Sequence, residues 1–436
     1  MAVQHKVGDF QLRTTTGNQS ITGLGFQPKL VLFFHTPDTV NIVNQTANFN
    51  LSWGATDGTN MGASIFFSPN GNSGLESAFG AQCTTNCIVG SIDTATMWRA
   101  TIVSMDGDGF TLNVPLAPTL GYRVGYLAIG GATLTGAKVG TFNASSGTQS
   151  ITGLGFQPTG IIMFSAGRAL TANPSSLTAG HVYGCFGMSD GASSRSAGFT
   201  FRSANLTVKL RGRICRSNMI MAAPNITTSP STGYQYQFNL TSFDADGFTV
   251  THTTGGSSLP ICYMAFAGAA TKVGNFTTPS ILGPFSITSL AFNPASVLTA
   301  STWQSNFGVF GGMGAVSNGS GALVSTGMAV DVTEQLTVGG TTIDFTTTTV
   351  EAHHSDDTKI MRRFSPNPFT TLEMDFAHAN MSTGAVNFNC TTPSGTLSVV
   401  NYMAIEGAAF TPPPSEPTGG SGDPASPDSS FLYNMI

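Results

Sequence analysis

The chain has 436 residues and a net charge of −5, with 9% charged residues against 40% apolar ones, where an ordinary soluble domain carries about 25% charged. So slight a charge leaves no electrostatic footprint for nucleic acid, and 31 Phe rule out the composition of a disordered chain. The surface that remains is Ser, Thr, Asn, Gly and backbone, which suits packing against other proteins better than steering toward a charged partner.

The first residues, Met1-Ala2-Val3-Gln4-His5-Lys6, hold no apolar stretch and do not read as a secretory signal. No apolar run approaches a membrane span, so synthesis in a cytoplasm and no membrane partner are expected. Six cysteines, at 83, 87, 185, 215, 262 and 390, do not recur with any unit of the chain and read mostly as free, buried thiols.

Repetition governs the order of elements. Lys6-Val7-Gly8-Asp9-Phe10 returns as Lys138-Val139-Gly140-Thr141-Phe142 and Lys272-Val273-Gly274-Asn275-Phe276, 132 and 134 residues apart. Solenoid periods are about 20–50 residues, so each unit is a whole domain. After the first lead-in, Gly17-Asn18-Gln19-Ser20 supplies turn chemistry. Ile21-Thr22-Gly23-Leu24-Gly25-Phe26-Gln27-Pro28 follows, repeated without change at 151–158 and, weathered, at 287–294.

Lys29-Leu30-Val31-Leu32-Phe33-Phe34 is short, apolar and bounded by prolines, the pattern of a fully buried strand. A Gly-rich segment at the middle of unit one, Trp53-Gly54-Ala55-Thr56-Asp57-Gly58, matches Phe186-Gly187-Met188-Ser189-Asp190-Gly191 in unit two. Residues 100–105 and 110–114 flank Asp106-Gly107-Asp108-Gly109 as a hairpin, and 242–250 repeat it around Asp244-Ala245-Asp246-Gly247. In the third unit the hairpin near Asp375 to Phe388 lacks this signature. Val124–Gly131, Cys262–Gly268 and Tyr402–Gly407 close the units as strands.

The expected fold is all-β: three tandem β-sandwich, jelly-roll-like domains at residues 1–135, 136–271 and 272–410, followed by an extended C-terminal arm at 411–436. The arm opens Thr411-Pro412-Pro413-Pro414 and ends in Phe431, Leu432, Tyr433, Asn434, Met435 and Ile436. A leash tipped with bulky apolar residues is built to add a strand to a sheet edge or to fill an apolar pocket.

Chemistry is sparse. The Asp-rich turns resemble the head of a calcium loop but lack its further ligands, and read as turns. Cys83-x-x-x-Cys87 offers a local cross-link or half a zinc site, with no second pair at metal spacing. His353-His354-Ser355-Asp356-Asp357 reads as a polar loop. No nucleophile elbow and no phosphate-binding loop is present. Catalytic residues, cofactors and metals are therefore none in this reading. Lys209, Arg211 and Arg213 alternate along one strand, with Arg202 and Arg216 close by, five of the chain's 17 Lys and Arg. They fit either a grip on an acidic neighbour or a guarded strand edge. Trp53, Trp98 and Trp303 are the candidates for stacking on a sugar, with a β core as the alternative for each.

The Lys-Val-Gly-x-Phe lead-in, the run from Gly17 to Lys29, the Asp-x-Asp-Gly-Phe hairpin and the Tyr-x-Ala-Ile-x-Gly closing strand together resemble a repeat of tailed-bacteriophage virion proteins. The resemblance spans all three units and carries no catalytic motif. It implies a non-enzymatic structural protein of the particle, a decoration or cement protein on the capsid or tail. Such a protein is held by its arm, associates with itself and with the major capsid or tail protein, and mimics a trimer with its three sandwiches. Its place is the virion, after synthesis in the host cytoplasm. The alternatives are a receptor-binding fibre or adhesin module that takes a host-surface glycan in lectin fashion, and a glycan hydrolase needing two convergent carboxylates.

Overall fold

In the computed structural model the alternating patterns become 32 strands, with no helix among the described residues. Those residues are 3–39, 45–46, 49–68, 78–202, 210–224, 234–254, 259–305, 308–317, 323–331, 350–356, 361–364, 372–393 and 399–407.

The first unit opens with β1 (Gln4–Gln11), β2 (Gly17–Thr22), β3 (Pro28–His35), β4 (Gln45–Thr46), β5 (Phe49–Thr56) and β6 (Met61–Ser68). It continues with β7 (Phe79–Cys83), β8 (Ile88–Ser91), β9 (Met97–Asp106), β10 (Gly109–Leu116) and β11 (Arg123–Gly130). The second holds β12 (Gly136–Asn143), β13 (Gly147–Thr152), β14 (Gly160–Ser165), β15 (Thr178–Ala179), β16 (Val182–Ser189) and β17 (Ser194–Arg202). After these come β18 (Leu210–Arg216), β19 (Met221–Pro224), β20 (Tyr234–Asp244), β21 (Gly247–Thr254) and β22 (Pro260–Ala267). The third runs through β23 (Thr271–Thr277), β24 (Gly283–Ile287), β25 (Pro294–Ser305), β26 (Gly308–Ser317) and β27 (Leu323–Asp331). It ends with β28 (Val350–Asp356), β29 (Met361–Phe364), β30 (Leu372–Ser382), β31 (Ala385–Thr392) and β32 (Val399–Glu406).

Each unit pairs a large antiparallel sheet with a four-stranded one. The large sheets run β1-β11-β3-β5-β6-β7-β15, β12-β22-β14-β16-β17-β18 and β23-β32-β25-β26-β27-β28-β4; the small ones are β2-β10-β9-β8, β13-β21-β20-β19 and β24-β31-β30-β29. The architecture is thus all-β, several sandwich-like domains.

The unbroken apolar runs have a specific cause. In β3, Val31 and Phe33 face the small sheet of their own sandwich, in a cluster with Phe110, Leu112 and Tyr126. Their neighbours Leu30, Leu32 and Phe34 face the other way, into a cluster that also contains Ile162, Phe164 and Met264 of unit two and Leu298, Met403 and Ile405 of unit three. Side chains alternate across a strand, so a sheet buried on both faces needs apolar residues at every position. The three large sheets therefore back onto one common core, and the three sandwiches close around it.

The repeated motifs hold this frame. Gly8, Gly140 and Gly274 stand opposite Tyr126, Tyr263 and Tyr402, where a Cβ would lie 2.6, 2.3 and 2.5 Å from the phenol oxygens. Only glycine lets the ring lie across the strand. Gly23 and Gly25 have φ of 82° and 78°, as do Gly153 and Gly155 at 82° and 80°. In that conformation the amides of Gly23 and Gly25 donate to Asp108 at 3.0 and 2.5 Å, and those of Gly153 and Gly155 to Asp246 at 3.1 and 2.5 Å. The Thr-Gly-Leu-Gly loop and the Asp-x-Asp-Gly hairpin were thus two halves of one staple. In the third unit the carboxylate half is gone, with Ser289 in the first glycine's place at φ 64° and Gly384 where Asp108 and Asp246 stand. The backbone bond persists: Leu290 N donates to Gly384 O at 3.0 Å, as Leu24 N does to Asp108 O at 3.3 Å.

Candidate interaction surfaces

Closing three sandwiches around one core requires three junctions, and two of them are made by side chains the repeat supplies. Between units one and two, Asp57 Oδ2 accepts the Val139 amide at 2.8 Å; between two and three, Asp190 Oδ2 accepts the Val273 amide at 2.8 Å. These are the aspartates of the matched Gly-rich segments, and each receives the Val of the next lead-in. Unit three returns to unit one through His5, whose Nε2 and Nδ1 lie 3.0 Å from Glu406 O and Ser296 Oγ. Burial pushes the His5 pKa down to about 4 despite the Glu406 carbonyl, so the imidazole sits in this junction uncharged.

Gln82, fully buried on β7, binds the second unit with its whole amide. Nε2 donates to Pro260 O at 2.8 Å, while Oε1 accepts from Ala166 N at 2.9 Å and from Ser165 Oγ at 3.2 Å. At the second junction Asn401 Nδ2 donates to Ser196 O at 3.0 Å. A buried polar group stranded without partners costs about 1–3 kcal/mol, so these amides fix how the units meet.

The sheet edges show a second device. An uncovered edge strand offers unpaired N–H and C=O groups. The edge β7 of unit one is covered by β15, from the loop between β14 and β16 of unit two, with Thr178 opposite Gly80 and Ala179 opposite Phe79. Arg168 props that strand by donating to His181 O, Thr178 O and Ala179 O, and Leu177 enters the apolar cluster of Ile65, Phe67 and Phe79. The edge β28 of unit three is covered by β4, from the corresponding loop of unit one, with Ala352 opposite Thr46 and His353 opposite Gln45. The edge β18 of unit two has no such partner among the described residues.

Several expected sites change character here. Trp53 is 3% exposed and lies against Phe66, Phe186 and Phe199 at ring-centroid distances of 4.8, 5.4 and 6.1 Å; Trp98 is 1% exposed and stacks on Tyr122 at 4.5 Å. Neither has a face to offer a sugar, because both were recruited as core. Trp303 lies in β25 opposite Phe310, its side chain outside the described set. Cys83 and Cys87 fall into different apolar clusters and make neither a cross-link nor half a metal site; burial pushes both thiols up. His353 and His354 are not in a loop but in β28, opposite Met328 and Gly327.

The Asp-rich turns bind their own chain. Asp106 takes the hydroxyls of Ser104 and Thr111 at 2.7 Å, and Asp244 those of Ser242 and Thr249 at 2.7 Å. Those hydroxyls hold both carboxyls below the usual aspartate range, and the Gly25 and Gly23 amides do the same for Asp108. Among the described residues no three His, Cys, Asp or Glu side chains converge as metal ligands would.

Arg211 and Arg213 lie in β18, opposite Phe201 and Phe199, and Arg216 opposite Ser196. Lys209 and the apolar tip, Phe431, Leu432, Tyr433, Met435 and Ile436, lie outside the described residues. The donated strands β4 and β15 were not visible in the sequence. Their one signal is that the interval after the buried run is long in units one and two and is reduced to residues 306 and 307 in unit three.

Compared with protein-family models, curated proteins and solved structures, the chain matches none.

Proposed function

We propose that this protein is a non-enzymatic building block of a tailed-phage particle, set on the capsid or tail surface as a decoration or cement protein. The observation that carries the reading is the single core shared by three sandwiches, with strands exchanged between them. That is the construction of a trimer within one chain, and it fits a threefold position in a lattice of other subunits. Polar groups that elsewhere would serve chemistry are used here on the chain's own amides and hydroxyls, in keeping with an assembly role. The arm from 411 to 436 is the grip on the neighbouring coat or tail subunit.

The test is the composition of purified virions. In particles whose genome encodes this chain, quantitative mass spectrometry finds it at structural copy number, and gold-labelled antibody marks the particle surface. Absence from washed virions overturns the proposal. A full chain with Phe431→Asp and Tyr433→Asp incorporates at a small fraction of the wild-type level; undiminished incorporation removes the arm from the account but leaves the particle assignment standing.

A further inference from the structure

Among the described residues, β18 at the edge of unit two pairs with no donated strand. Units one and three each have their edge closed by a two-residue strand donated from another unit of the same chain. By the order of exchange, the donor for β18 should be unit three, from the interval between β25 and β26. That interval holds only residues 306 and 307, too short to leave its own sheet and pair elsewhere. One position in an otherwise cyclic scheme is therefore unfilled among the described residues.

We propose that the segment Phe431–Ile436 of the same chain fills it, adding a seventh strand to the edge of β18. Three observations single out this occupant. Both filled edges are closed by the chain itself, antiparallel, by Thr178–Ala179 and Gln45–Thr46, and the first donor adds an apolar anchor beside its strand, Leu177; the hexapeptide supplies apolar anchors of its own in Phe431, Leu432, Tyr433, Met435 and Ile436. Charge is complementary: β18 carries Arg211, Arg213 and Arg216, while residues 408–436 carry Glu416, Asp423 and Asp428 and no Lys or Arg. Chain length is the third: 23 residues, 408–430, separate the hexapeptide from Gly407, a length that as flexible chain spans about 25–30 Å on average and about 75 Å at full extension. A tether of that kind presents its tip at an effective concentration in the millimolar range, which favours the strand's own edge over a dilute neighbour.

The inference goes beyond the assembly role and does not depend on it. A strand held at an edge by a few backbone hydrogen bonds is exchangeable, so a coat subunit offering a better edge can draw it away.

The experiment is hydrogen exchange by mass spectrometry on the isolated full chain, compared with the full chain carrying Leu432→Pro and Tyr433→Pro, which removes two strand donors. In the wild type, amides of residues 210–216 exchange slowly, and in the variant they exchange at least about tenfold faster. Peptides over β7 and β28 stay protected in both, which reports that the variant is folded. A free peptide of residues 425–436 restores protection of 210–216 in the variant at millimolar concentration. Equal exchange of 210–216 in wild type and variant overturns the proposal. So does protection that grows with protein concentration, which would make the occupant another copy. Neither result bears on whether the chain is found in virions.

Discussion

Replacing Trp53 with Ala tests the shared core and the sugar-stacking alternative in one step. Trp53 belongs to unit one, yet two of its three aromatic neighbours, Phe186 and Phe199, belong to unit two. Truncating a buried Trp costs about 3–5 kcal/mol, and here the loss includes the edge-to-face pairs with its aromatic neighbours. The size of the resulting melting shift depends on how much of the chain unfolds with it. Unfolding entropy is about 2.1 cal/mol/K per residue. A loss of about 4 kcal/mol therefore lowers the transition by about 5 °C if some 400 residues melt together, and by about 15 °C if one unit of about 130 melts alone. Differential scanning calorimetry reads the difference. The shared core predicts one transition, displaced by the smaller amount. A low-temperature transition displaced by the larger amount, with the rest unmoved, would refute it. An unchanged melting curve together with lost glycan binding would put Trp53 on the surface instead.

Three further outcomes follow from named contacts. Ser289→Gly replaces the one staple-loop residue forced to positive φ without being glycine, and raises stability by about 0.5–1 kcal/mol, read as a higher urea midpoint with unchanged slope. Gly140→Ala puts a Cβ 2.3 Å from the Tyr263 oxygen and costs about 1–3 kcal/mol, read in the same titration. His35 is 1% exposed, and burial lowers its pKa from 6.5 to about 3. A His held neutral in the fold contributes its full stability above pH 6.5 and loses it as pH falls through that window, by about 1.4 kcal/mol per pH unit. His35→Phe therefore flattens the acid limb of the stability curve below pH 6.5; an unaltered limb would mean that His35 is not the group responsible.

Much of the fold could be read from residue patterns, and for physical reasons. Leu30 to Phe34 has no alternation because both of its faces are buried, and a run of that kind between prolines leaves room for little except an interior strand. The Asp-Gly hairpins follow from turn chemistry within four residues. What could not be read depends on distance along the chain. Nothing about Thr178 and Ala179 marks them as a strand, since two residues carry no period and their partners Gly80 and Phe79 lie nearly a hundred positions away. Gln82 looks like any surface amide until Ala166 and Pro260 are brought to it. Trp53 and Trp98 were ambiguous because a large aromatic suits a core and a sugar platform equally; only the packing of Phe66 and Tyr122 against them decides. The Asp108 staple was half legible: the hairpin and the Gly-Leu-Gly loop were each conspicuous, but their pairing joins residues more than 80 apart.

The claim beneath all of this is that three units close around one core rather than standing in a row. Small-angle X-ray scattering of the monodisperse chain measures it directly. A closed body of some 400 residues has a radius of gyration of about 22 Å, slightly more with the arm included. Three separate sandwiches of about 130 residues strung end to end give a value above about 30 Å, from about 14 Å for each one. The smaller radius, with the bell-shaped Kratky profile of a single body, is the predicted result; the larger one contradicts the account.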